Sequence, residues 1–481
     1  MNLDVLFIHP VVHRKGKILH VVMPVGLFSL ASILAGNGIK TKIIHRGLEE
    51  LLDPGFHLRK TMEKYNPRIV CVSLHWYVHT YEAINIAMTA KSCCGALTVL
   101  GGFTASFYDV DILRNFSFVD VIIRGDGEIP LSNLVKNYLS GKDFSDIPNV
   151  TFRRNSGIIQ NPIGYTNYGL ADTPPPDLSQ LQNRGKYLKI NLSGKSEIPL
   201  YAIFDDQAPS GLDLVYFRSC PFQCSYCGGG REPQKRFHGR DRLILMDTKA
   251  LVEYCKALKK QGVQEIRMAY IPHNGAKEYY LNLFRMLHDQ GVTFSARISL
   301  WDIPPMEVLN MMRKAFSFIT FEISPDSASE RVRKKNKGIF YTNKELFDVL
   351  EFARDAQLDT QLWFMTGLPG ETKEDYQLSL EMAKNLLMEN MISEAACFAL
   401  NIEPGSPIHL EPEKYGIRLF RRSFMDFYKW GEEAASGQKL KHYLGFEKQD
   451  LGENEILEMA KHFNKTVREA ANFVNEFRMP K

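Results

Sequence analysis

The sequence has almost no excess of charge of either sign and no long uninterrupted apolar run. Its 481 residues include 59 Lys and Arg against 55 Asp and Glu, a net charge of +4 at pH 7, which gives no electrostatic reason to expect a nucleic-acid or membrane-surface partner. The most apolar segment, 21–38, contains Pro24, Gly26 and Gly36 and is too broken for a membrane span of about 20 apolar residues. The N-terminal run contains Asp4 and no small-residue cleavage site, unlike a secretory signal peptide. A cytoplasmic protein without a membrane span is therefore predicted.

Cysteine is too sparse for a disulfide framework. Eight cysteines in 481 residues are typical of reduced cytosolic thiols, and a composition of 44% apolar and 24% charged residues is that of a globular protein. The length predicts roughly three domains of about 100–200 residues each. A reactive vicinal pair at Cys93 and Cys94 is an alternative to a purely structural role. The cysteines interpreted as structural thiols are Cys71, Cys93, Cys94, Cys255 and Cys397.

Residues 1–145 alternate short β-rich runs with helical ones, which predicts an α/β domain with a doubly wound, Rossmann-like parallel sheet. Ligands of such sheets lie at the carboxyl ends of the strands. The predicted strands are 5–9, 39–44, 68–74, 96–100 and 119–124, and the loops at their carboxyl ends include 9–10, 73–77, 101–103 and 125–128.

The rest of the chain divides into a linker, a second βα series and a helical end. A hairpin about Asn155-Ser156-Gly157 and the proline-rich segment 172–177 predict a linker over 146–200. Six βα units over 201–410 are too few for an eight-stranded barrel, so a partial open barrel is predicted, with its site at the carboxyl ends of the strands. Residues 411–481 have a helical pattern. The predicted barrel strands are 214–217, 265–270, 293–297, 317–323, 359–366 and 394–400.

Three cysteines stand close together just after the first strand of this second series. Cys220, Cys224 and Cys227 have the spacing Cys-x3-Cys-x2-Cys and precede three glycines that begin at Gly228. Three thiolates leave the fourth iron of a [4Fe–4S] cluster open, which a catalytic cluster needs and a purely electron-carrying one does not. Zinc is the alternative metal for this loop. It would need a fourth Cys or His ligand, for which His238 is the nearest candidate. Buried cysteines that happen to be close are the remaining alternative.

This loop, with the aromatic Tyr226 before its last cysteine, resembles that of the radical S-adenosylmethionine (SAM) enzymes, and the six βα units fit their partial barrel. The resemblance implies that the open iron binds the amino and carboxylate groups of SAM. One electron, from a donor such as flavodoxin or ferredoxin, would then cleave SAM to methionine and a 5′-deoxyadenosyl radical. The protein would supply orientation and a dry cavity.

Other segments resemble the radical SAM subgroup in which a cobalamin-binding-type domain precedes the barrel, which includes the class B methyltransferases. The Asp-x-His-x-x-Gly motif that supplies a cobalt ligand in mutases is absent, so cobalamin would be held without that histidine. The Gly-Gly-Glu-like turn after the second barrel strand is replaced by 271–275. The resembling segments are 24–27, 101–106, 120–128, 321–324 with 337–338, 367–372, and, at the exit from the barrel, 403–407 with 412–416.

The resemblance implies a set of site residues. Cys220, Cys224 and Cys227 are the catalytic and metal-binding residues. Glu322 and Ser324 would meet the SAM ribose, and Arg297 would pair with the SAM carboxylate or form a plain salt bridge. The other implied cofactor-binding residues are Tyr226, Gly228, Gly367 and Asn401 around the barrel, and Ser73, His75, Trp76, Gly101, Gly102, Phe103, Gly125, Gly127 and Glu128 in the N-terminal domain.

By the same resemblance, the predicted function is that of a cobalamin-dependent radical SAM methyltransferase. Its target would be an unactivated carbon, less often phosphorus, of a small molecule or peptide. A radical cyclisation, ring contraction or rearrangement without methyl transfer is the second hypothesis. A cobalamin-binding carrier or sensor with a structural cluster is the third. A nucleic-acid substrate is disfavoured by the near-neutral charge.

Overall fold

The computed structural model describes residues 2–14, 17–19, 22–155, 157–170, 173–192, 202–204, 209–438 and 440–477. Ser156 of the predicted hairpin turn, and Asp172 and residues 193–200 of the predicted linker, lie outside the described residues. Within the described ranges, no helix is both long and apolar enough to cross a membrane.

The N-terminal part of the chain alternates buried strands with helices, as the hydrophobic pattern predicts. Two helices between the second and third predicted strands were not predicted. The elements are β1 (Val5–His9), β2 (Val12–Arg14), β3 (Lys17–Leu19), α1 (Gly26–Gly36), β4 (Thr41–His45), α2 (Arg46–Leu52), α3 (Leu58–Tyr65), β5 (Ile69–Ser73), α4 (Thr80–Cys94), β6 (Leu97–Gly101), α5 (Phe103–Phe107), α6 (Asp109–Asn115), β7 (Val121–Ile123), α7 (Glu128–Leu139), β8 (Val150–Arg154) and β9 (Gly157–Gln160).

These strands form one sheet in the order β4-β1-β5-β6-β7-β8-β9. The first five are parallel, and β8 and β9 extend the sheet as an antiparallel hairpin. The chain order of the parallel strands is thus 2-1-3-4-5, which has its topological switch between β1 and β5. The crevice of such a sheet opens at the carboxyl ends of these strands, where His9 ends β1 and Ser73 ends β5.

The second part contains the predicted βα series, preceded by short elements. Asp247 caps the helix Thr248–Lys260 by accepting from the backbone N–H groups of Lys249 and Ala250. The elements are a 3₁₀ turn (Leu178–Gln180), α8 (Arg184–Tyr187), β10 (Ile190–Leu192), β11 (Ala202–Phe204), β12 (Gly211–Asp213), β13 (Phe217–Arg218), α9 (Arg231–His238), β14 (Ile244–Leu245), α10 (Thr248–Lys260), β15 (Glu265–Tyr270), α11 (Ala276–Asp289), β16 (Ser295–Leu300), α12 (Met306–Ala315), β17 (Phe318–Asp326), α13 (Glu330–Asn336), α14 (Asn343–Asp355), β18 (Asp359–Thr366), α15 (Lys373–Met388) and β19 (Glu394–Ala399).

Six parallel strands form the barrel sheet in the order β12-β15-β16-β17-β18-β19, so each strand pairs with the next in the chain. The first strand lies at Gly211–Asp213 rather than at the predicted 214–217. Residues after Leu214 leave the sheet because Phe217 and Arg218 pair instead with Leu245 and Ile244 in an antiparallel ribbon. The cysteine segment therefore follows a strand that lies outside the barrel sheet.

The C-terminal region joins the two sheets and covers the last barrel strand. Asn464 of α18 donates to the carbonyl of Cys397 and accepts from its N–H, both at 2.8 Å, so it occupies the free edge of β19. Thr80 of α4 donates to the carbonyl of Phe427 at 3.1 Å, which ties α17 to the N-terminal domain. The elements are α16 (Pro407–Leu410), a 3₁₀ turn (Pro412–Tyr415), β20 (Ile417–Leu419), α17 (Phe424–Ala435), β21 (Phe446–Lys448) and α18 (Glu453–Phe477).

Candidate active site

The three predicted cluster cysteines lie on one loop between β13 and α9, and two of the sulfurs accept a backbone N–H. Gly338 donates to Cys224 Sγ at 3.2 Å and Gly229 to Cys227 Sγ at 3.3 Å, and the N–H of Phe222 lowers the pKa of Cys220. Burial raises the pKa of Cys220 to about 11 and also raises the pKa of the other two thiols, while these N–H groups oppose the shift. Thiols of this kind lose their protons to a soft metal, because the metal bond replaces the solvation that burial removes.

A segment that follows the barrel packs directly on this loop. Glu403 accepts from the N–H of Gly228 at 2.8 Å, and its own N–H donates to the carbonyl of Tyr226 at 3.1 Å. A Cβ on Gly228 would overlap the carbonyl oxygen of Pro404, so only glycine fits there. Burial raises the pKa of Glu403. Glu403 was missed as a site residue, although it begins segment 403–407, one of those that carry the resemblance.

Tyr226 is anchored to the fourth barrel strand. Its hydroxyl donates to Asp326 at 2.5 Å, and Lys337 lies 3.4 Å from the same carboxylate and donates to the carbonyl of Ser324. Asp326 has a φ of 64° beyond a break in the pairing of β17 with β18. With its backbone in this left-handed conformation, Asp326 directs its carboxylate toward the cysteine loop. The structure thus brings together Tyr226, Ser324 and Lys337, and it adds Asp326, which has no sequence signal.

Arg297 and Glu322 pair with each other inside the barrel. Arg297 Nε donates to Glu322 at 2.8 Å, and Ser299 donates to the other carboxylate oxygen at 3.1 Å. A second guanidinium nitrogen donates to Gln361 at 2.8 Å. Of the two alternatives for Arg297, the structure contains the salt bridge. Contacts of either side chain with SAM stay predictions.

Gly367 and Asn401 contact protein groups at the ends of the last two barrel strands. Gly367 has a φ of +88°, and its N–H donates to Glu371 at 2.6 Å. A Cβ there would approach Ile456 of α18 to 3.0 Å. Asn401 accepts from the hydroxyl of Tyr77, which belongs to the loop after β5. Asn401 therefore links the barrel to the N-terminal sheet.

The buried Glu371 is expected to make the free energy of unfolding depend measurably on pH. Burial raises the pKa of Glu371 from 4.5 to about 7 against the opposing hydrogen bonds from Gly367 and Thr366. The folded state therefore binds the proton more tightly than the unfolded state, and the stability this contributes is lost as the pH rises through about 7. Relative to wild type, the unfolding free energy of Glu371→Gln should rise by about 2.5 kcal/mol between pH 5 and pH 8.

Urea denaturation at a series of pH values measures this difference. Glu381→Gln, an exposed carboxylate of α15, controls for the loss of one negative charge. A free-energy difference between Glu371→Gln and wild type that stays flat from pH 5 to pH 8 would contradict the prediction.

In the N-terminal domain, the loops after β5 and β6 pack as one unit. Gly102 has a φ of +119°, and a Cβ there would lie 2.7 Å from the backbone of His75. The N–H and hydroxyl of Thr104 donate to the His75 carbonyl at 3.2 and 3.0 Å. The His75 ring lies edge-on to Trp76 and Phe103, with centroids 4.4 and 4.7 Å apart. The indole of Trp76 is left 40% exposed at the carboxyl edge of the sheet.

His238, the candidate fourth zinc ligand, lies against these loops. Its ring centroid is 4.2 Å from that of Phe103, and a Cβ on Gly125 would lie 2.7 Å from its carbonyl oxygen. Burial lowers the pKa of His75 to about 3 and that of His238 well below its usual value. Both imidazoles are therefore neutral, and His238 packs between the two domains.

The turn before α7 is held by arginines from the barrel side. Arg218, two residues before Cys220, donates to Asp126 at 2.8 Å and also to Glu128. Arg240 donates to Asp126 at 2.5 Å. Burial alone would raise the pKa of Asp126, but the charges of Arg240 and Arg218 outweigh it and hold the pKa below its usual value. The turn is therefore fixed to the strand that leads into the cysteine loop.

The remaining predicted residues of this domain serve packing in the structure. Ser73 is buried and pairs in register with Gly101. An added Cβ on Gly127 would contact Leu30 and Ile123 at 3.6 Å. Their contacts with a cofactor stay predictions. The sequence did not predict three residues of this junction, namely Asp126, Arg218 and Arg240. The only signal was that Asp126 lies within segment 120–128, which carries part of the resemblance.

Sequence comparison finds a radical SAM superfamily domain over residues 214–383. An uncharacterized methyltransferase of Pyrococcus horikoshii is 24% identical over 369 residues, 76% of this chain and 73% of that protein. The hopanoid C-3 methylase of Methylococcus capsulatus is 26% identical over 263 residues, 54% of this chain and 45% of the methylase. The anaerobic magnesium-protoporphyrin IX monomethyl ester cyclase of Rubrivivax gelatinosus is 25% identical over 399 residues, 79% of this chain and 65% of the cyclase. The matched region thus spans less than two thirds of the last two relatives.

Two solved structures have a similar fold over most of this chain. The radical S-adenosylmethionine methyltransferase TsrM from Kitasatospora setae, with cobalamin and a [4Fe–4S] cluster bound, has a TM-score of 0.65 and 15% identity, covering 89% of this chain and 81% of TsrM. The cobalamin-dependent S-adenosylmethionine radical enzyme OxsB has a TM-score of 0.58 and 12% identity, covering 90% of this chain and 55% of OxsB. The predicted α/β fold is confirmed. Residues 214–383 therefore match the radical SAM superfamily, and the chain as a whole has a fold similar to that of these two cobalamin-dependent radical SAM structures.

Proposed function

We propose that the protein is a cobalamin-dependent methyltransferase that acts on an unactivated carbon of a small molecule or peptide. The observation that carries the proposal is the junction between the two sheets. Arg218 joins the three-cysteine loop to the turn of Asp126 and Glu128 in the N-terminal domain. A cluster on the loop and a ligand at the carboxyl edge of the N-terminal sheet would therefore be held at a fixed distance and orientation.

The cysteine loop fits an open iron–sulfur cluster. Its donor set is three soft sulfur ligands, two of which accept a backbone N–H, and glycines allow the backbone to approach closely. Cys220, Cys224 and Cys227 would hold the cluster. Tyr226 and Glu403 would keep the loop in place through their bonds to Asp326 and Gly228.

The carboxyl edge of the N-terminal sheet fits a large planar ligand. Trp76 offers an exposed indole next to the switch between β1 and β5, where ligands of this topology bind. Gly101 and Gly102 keep the neighbouring loop free of side chains. When bound, a cluster with SAM supplies a 5′-deoxyadenosyl radical and cobalamin supplies a methyl group. The chain's own residues bind both, orient them and exclude water.

A second candidate function is a radical cyclisation or rearrangement without methyl transfer. The match to the magnesium-protoporphyrin IX monomethyl ester cyclase over 79% of this chain favours keeping it. A cobalamin-binding carrier with a structural cluster is the third candidate, and it predicts no SAM turnover.

Analysis of the SAM products separates the three functions. The anaerobic protein, supplied with iron, sulfide, hydroxocobalamin, SAM and a reductant, is assayed for S-adenosylhomocysteine and 5′-deoxyadenosine. A methyltransferase forms both, because methyl transfer from SAM leaves S-adenosylhomocysteine. Formation of 5′-deoxyadenosine alone supports the rearrangement, and the absence of both products supports the carrier.

Gly102→Ala tests the proposed cobalamin edge separately from the cluster. An added Cβ would lie 2.7 Å from the backbone of His75. It would therefore displace that backbone and the adjacent Trp76. We expect at least about a tenfold weaker affinity for hydroxocobalamin, about 1.4 kcal/mol, with an unchanged iron content. Gly36→Ala, where a Cβ meets nothing within 4 Å, is the matched control. Equal cobalamin affinity in the two variants would contradict the assignment of this edge.

A further inference from the structure

We propose that the basic surface over the cysteine loop is the docking site of a small acidic protein that delivers single electrons to the cluster. This docking surface comprises Lys334, Lys335, Gly338 and Phe340. The inference rests on the proposed function, because it assumes a redox-active cluster on the loop.

Gly338 lies between solvent and one of the cysteine sulfurs, that of Cys224. It is exposed, yet its N–H bonds Cys224 Sγ at 3.2 Å. A Cβ on Gly338 would clash with Gln223 and would approach Phe222 Cβ to 2.7 Å. One backbone residue without a side chain therefore separates a cluster ligand from a partner at the surface. Because electron transfer slows steeply with distance, a donor at this position is favoured.

The part of α13 next to Gly338 carries two positive charges that are not neutralised. Lys334 and Lys335 of α13 are exposed, and neither forms an ion pair within the part of the chain that the structure describes. Their neighbour Arg331 differs, because it pairs with Asp375. On the other side of the cysteine loop, α9 begins where Arg231 donates to the Phe222 carbonyl at 2.7 Å. In the first turn of that helix, Arg231 pairs with the exposed Glu232 at 3.6 Å. The helix adds two further exposed basic residues, Lys235 and Arg236.

An apolar contact lies within this basic surface. The Phe340 side chain is 40% exposed, and the Lys334 ammonium lies 5.9 Å from its ring centroid. An exposed aromatic ring beside a basic side chain fits a partner with a small apolar centre and an acidic rim. Electron-carrier complexes have small interfaces that depend strongly on charge. An acidic one-electron carrier therefore fits this surface better than a neutral partner.

The proposed step is a single electron transfer. The carrier's own redox group is oxidised by one electron, and the oxidised cluster gains that electron. No bond forms or breaks and no proton is transferred at the docking surface. The function of the surface is then to raise the rate of productive encounter, which opposite charges increase by about 10 to 1,000-fold.

The test measures reduction of the cluster in the reconstituted holoenzyme by fully reduced flavodoxin, an acidic flavoprotein, in an anaerobic stopped-flow instrument. The variant is Lys334→Glu with Lys335→Glu. The matched control is Lys60→Glu with Lys142→Glu, two exposed lysines of the N-terminal domain. At an ionic strength of about 20 mM, the second-order rate constant of the first variant should fall at least about tenfold below wild type.

Two further readouts make the result decisive. The difference should shrink as the ionic strength rises to about 0.5 M, and reduction by dithionite should proceed at the wild-type rate. Phe340→Ala leaves the charges in place. It should lower the rate of cluster reduction by flavodoxin and leave the rate of reduction by dithionite unchanged. Equal flavodoxin rates in the lysine variant and its control, or an equal loss with dithionite, would overturn the proposal. A wild-type protein without a reducible cluster would instead contradict the proposed function.

Discussion

Replacing Cys220, Cys224 and Cys227 together by alanine is expected to abolish both the iron content of the protein and its cleavage of SAM. The reason is that these thiols are the only soft ligands on the loop between β13 and α9. Even one substitution should suffice, because a cluster held by two thiolates has lost a third of its protein ligands. SAM cleavage should fall by at least about a thousandfold, about 4 kcal/mol in the barrier.

The measurement combines iron analysis, the visible absorption of the cluster and the yield of 5′-deoxyadenosine. Cys93→Ala with Cys94→Ala is the control, since these half-buried thiols lie at the end of α4 in the N-terminal domain. Wild-type iron content and turnover are expected for this control. If the triple variant formed as much 5′-deoxyadenosine as wild type, the assignment of these cysteines as the cluster ligands would be contradicted.

Asp126→Ala is expected to cause the largest loss of stability among single substitutions at the junction. The Asp126 side chain is only 1% exposed, bonds both Arg218 and Arg240, and accepts from the Asn167 N–H at 2.8 Å. Its removal leaves two buried guanidinium groups without their shared carboxylate. Breaking a buried ion pair in this way costs about 3–5 kcal/mol.

Chemical denaturation near neutral pH measures this loss. Asp143→Ala is the control, because its pair with Arg154 is about half exposed and such surface pairs contribute about 0–1 kcal/mol. The pKa of Asp126 is held below its usual 3.8, so its stabilising effect is present above that pH and is lost as the pH falls through its lower folded value. An Asp126→Ala protein as stable as the control would show that the junction is not held by this carboxylate.

The sequence predicted the features that depend on local pattern. Apolar runs of strand length, such as 5–9 and 359–366, gave strands close to those observed, and the alternation with helices gave the parallel sheets. The cysteine spacing lies within one short loop, so it needed no knowledge of distant contacts. Both signals come from residues close together in the chain.

The missed features depend on contacts between distant segments. The hairpin β8–β9 was assigned to a linker, yet it extends the sheet because Val150 and its neighbours bond β7. Asp126 and Arg218 are separated by 92 positions, and Tyr226 and Asp326 by 100. No periodicity relates such residues. Only the folded chain shows that Glu128 and Arg297 already have protein partners.

The metal content of the anaerobically prepared protein tests the central claim most directly. The protein is supplied with iron, sulfide and hydroxocobalamin, desalted, and analysed for both metals. The account predicts about four iron atoms and about one cobalt atom per chain. About four iron atoms without cobalt would contradict the methyltransferase and leave the N-terminal domain as a scaffold, and a protein without iron would contradict the account as a whole.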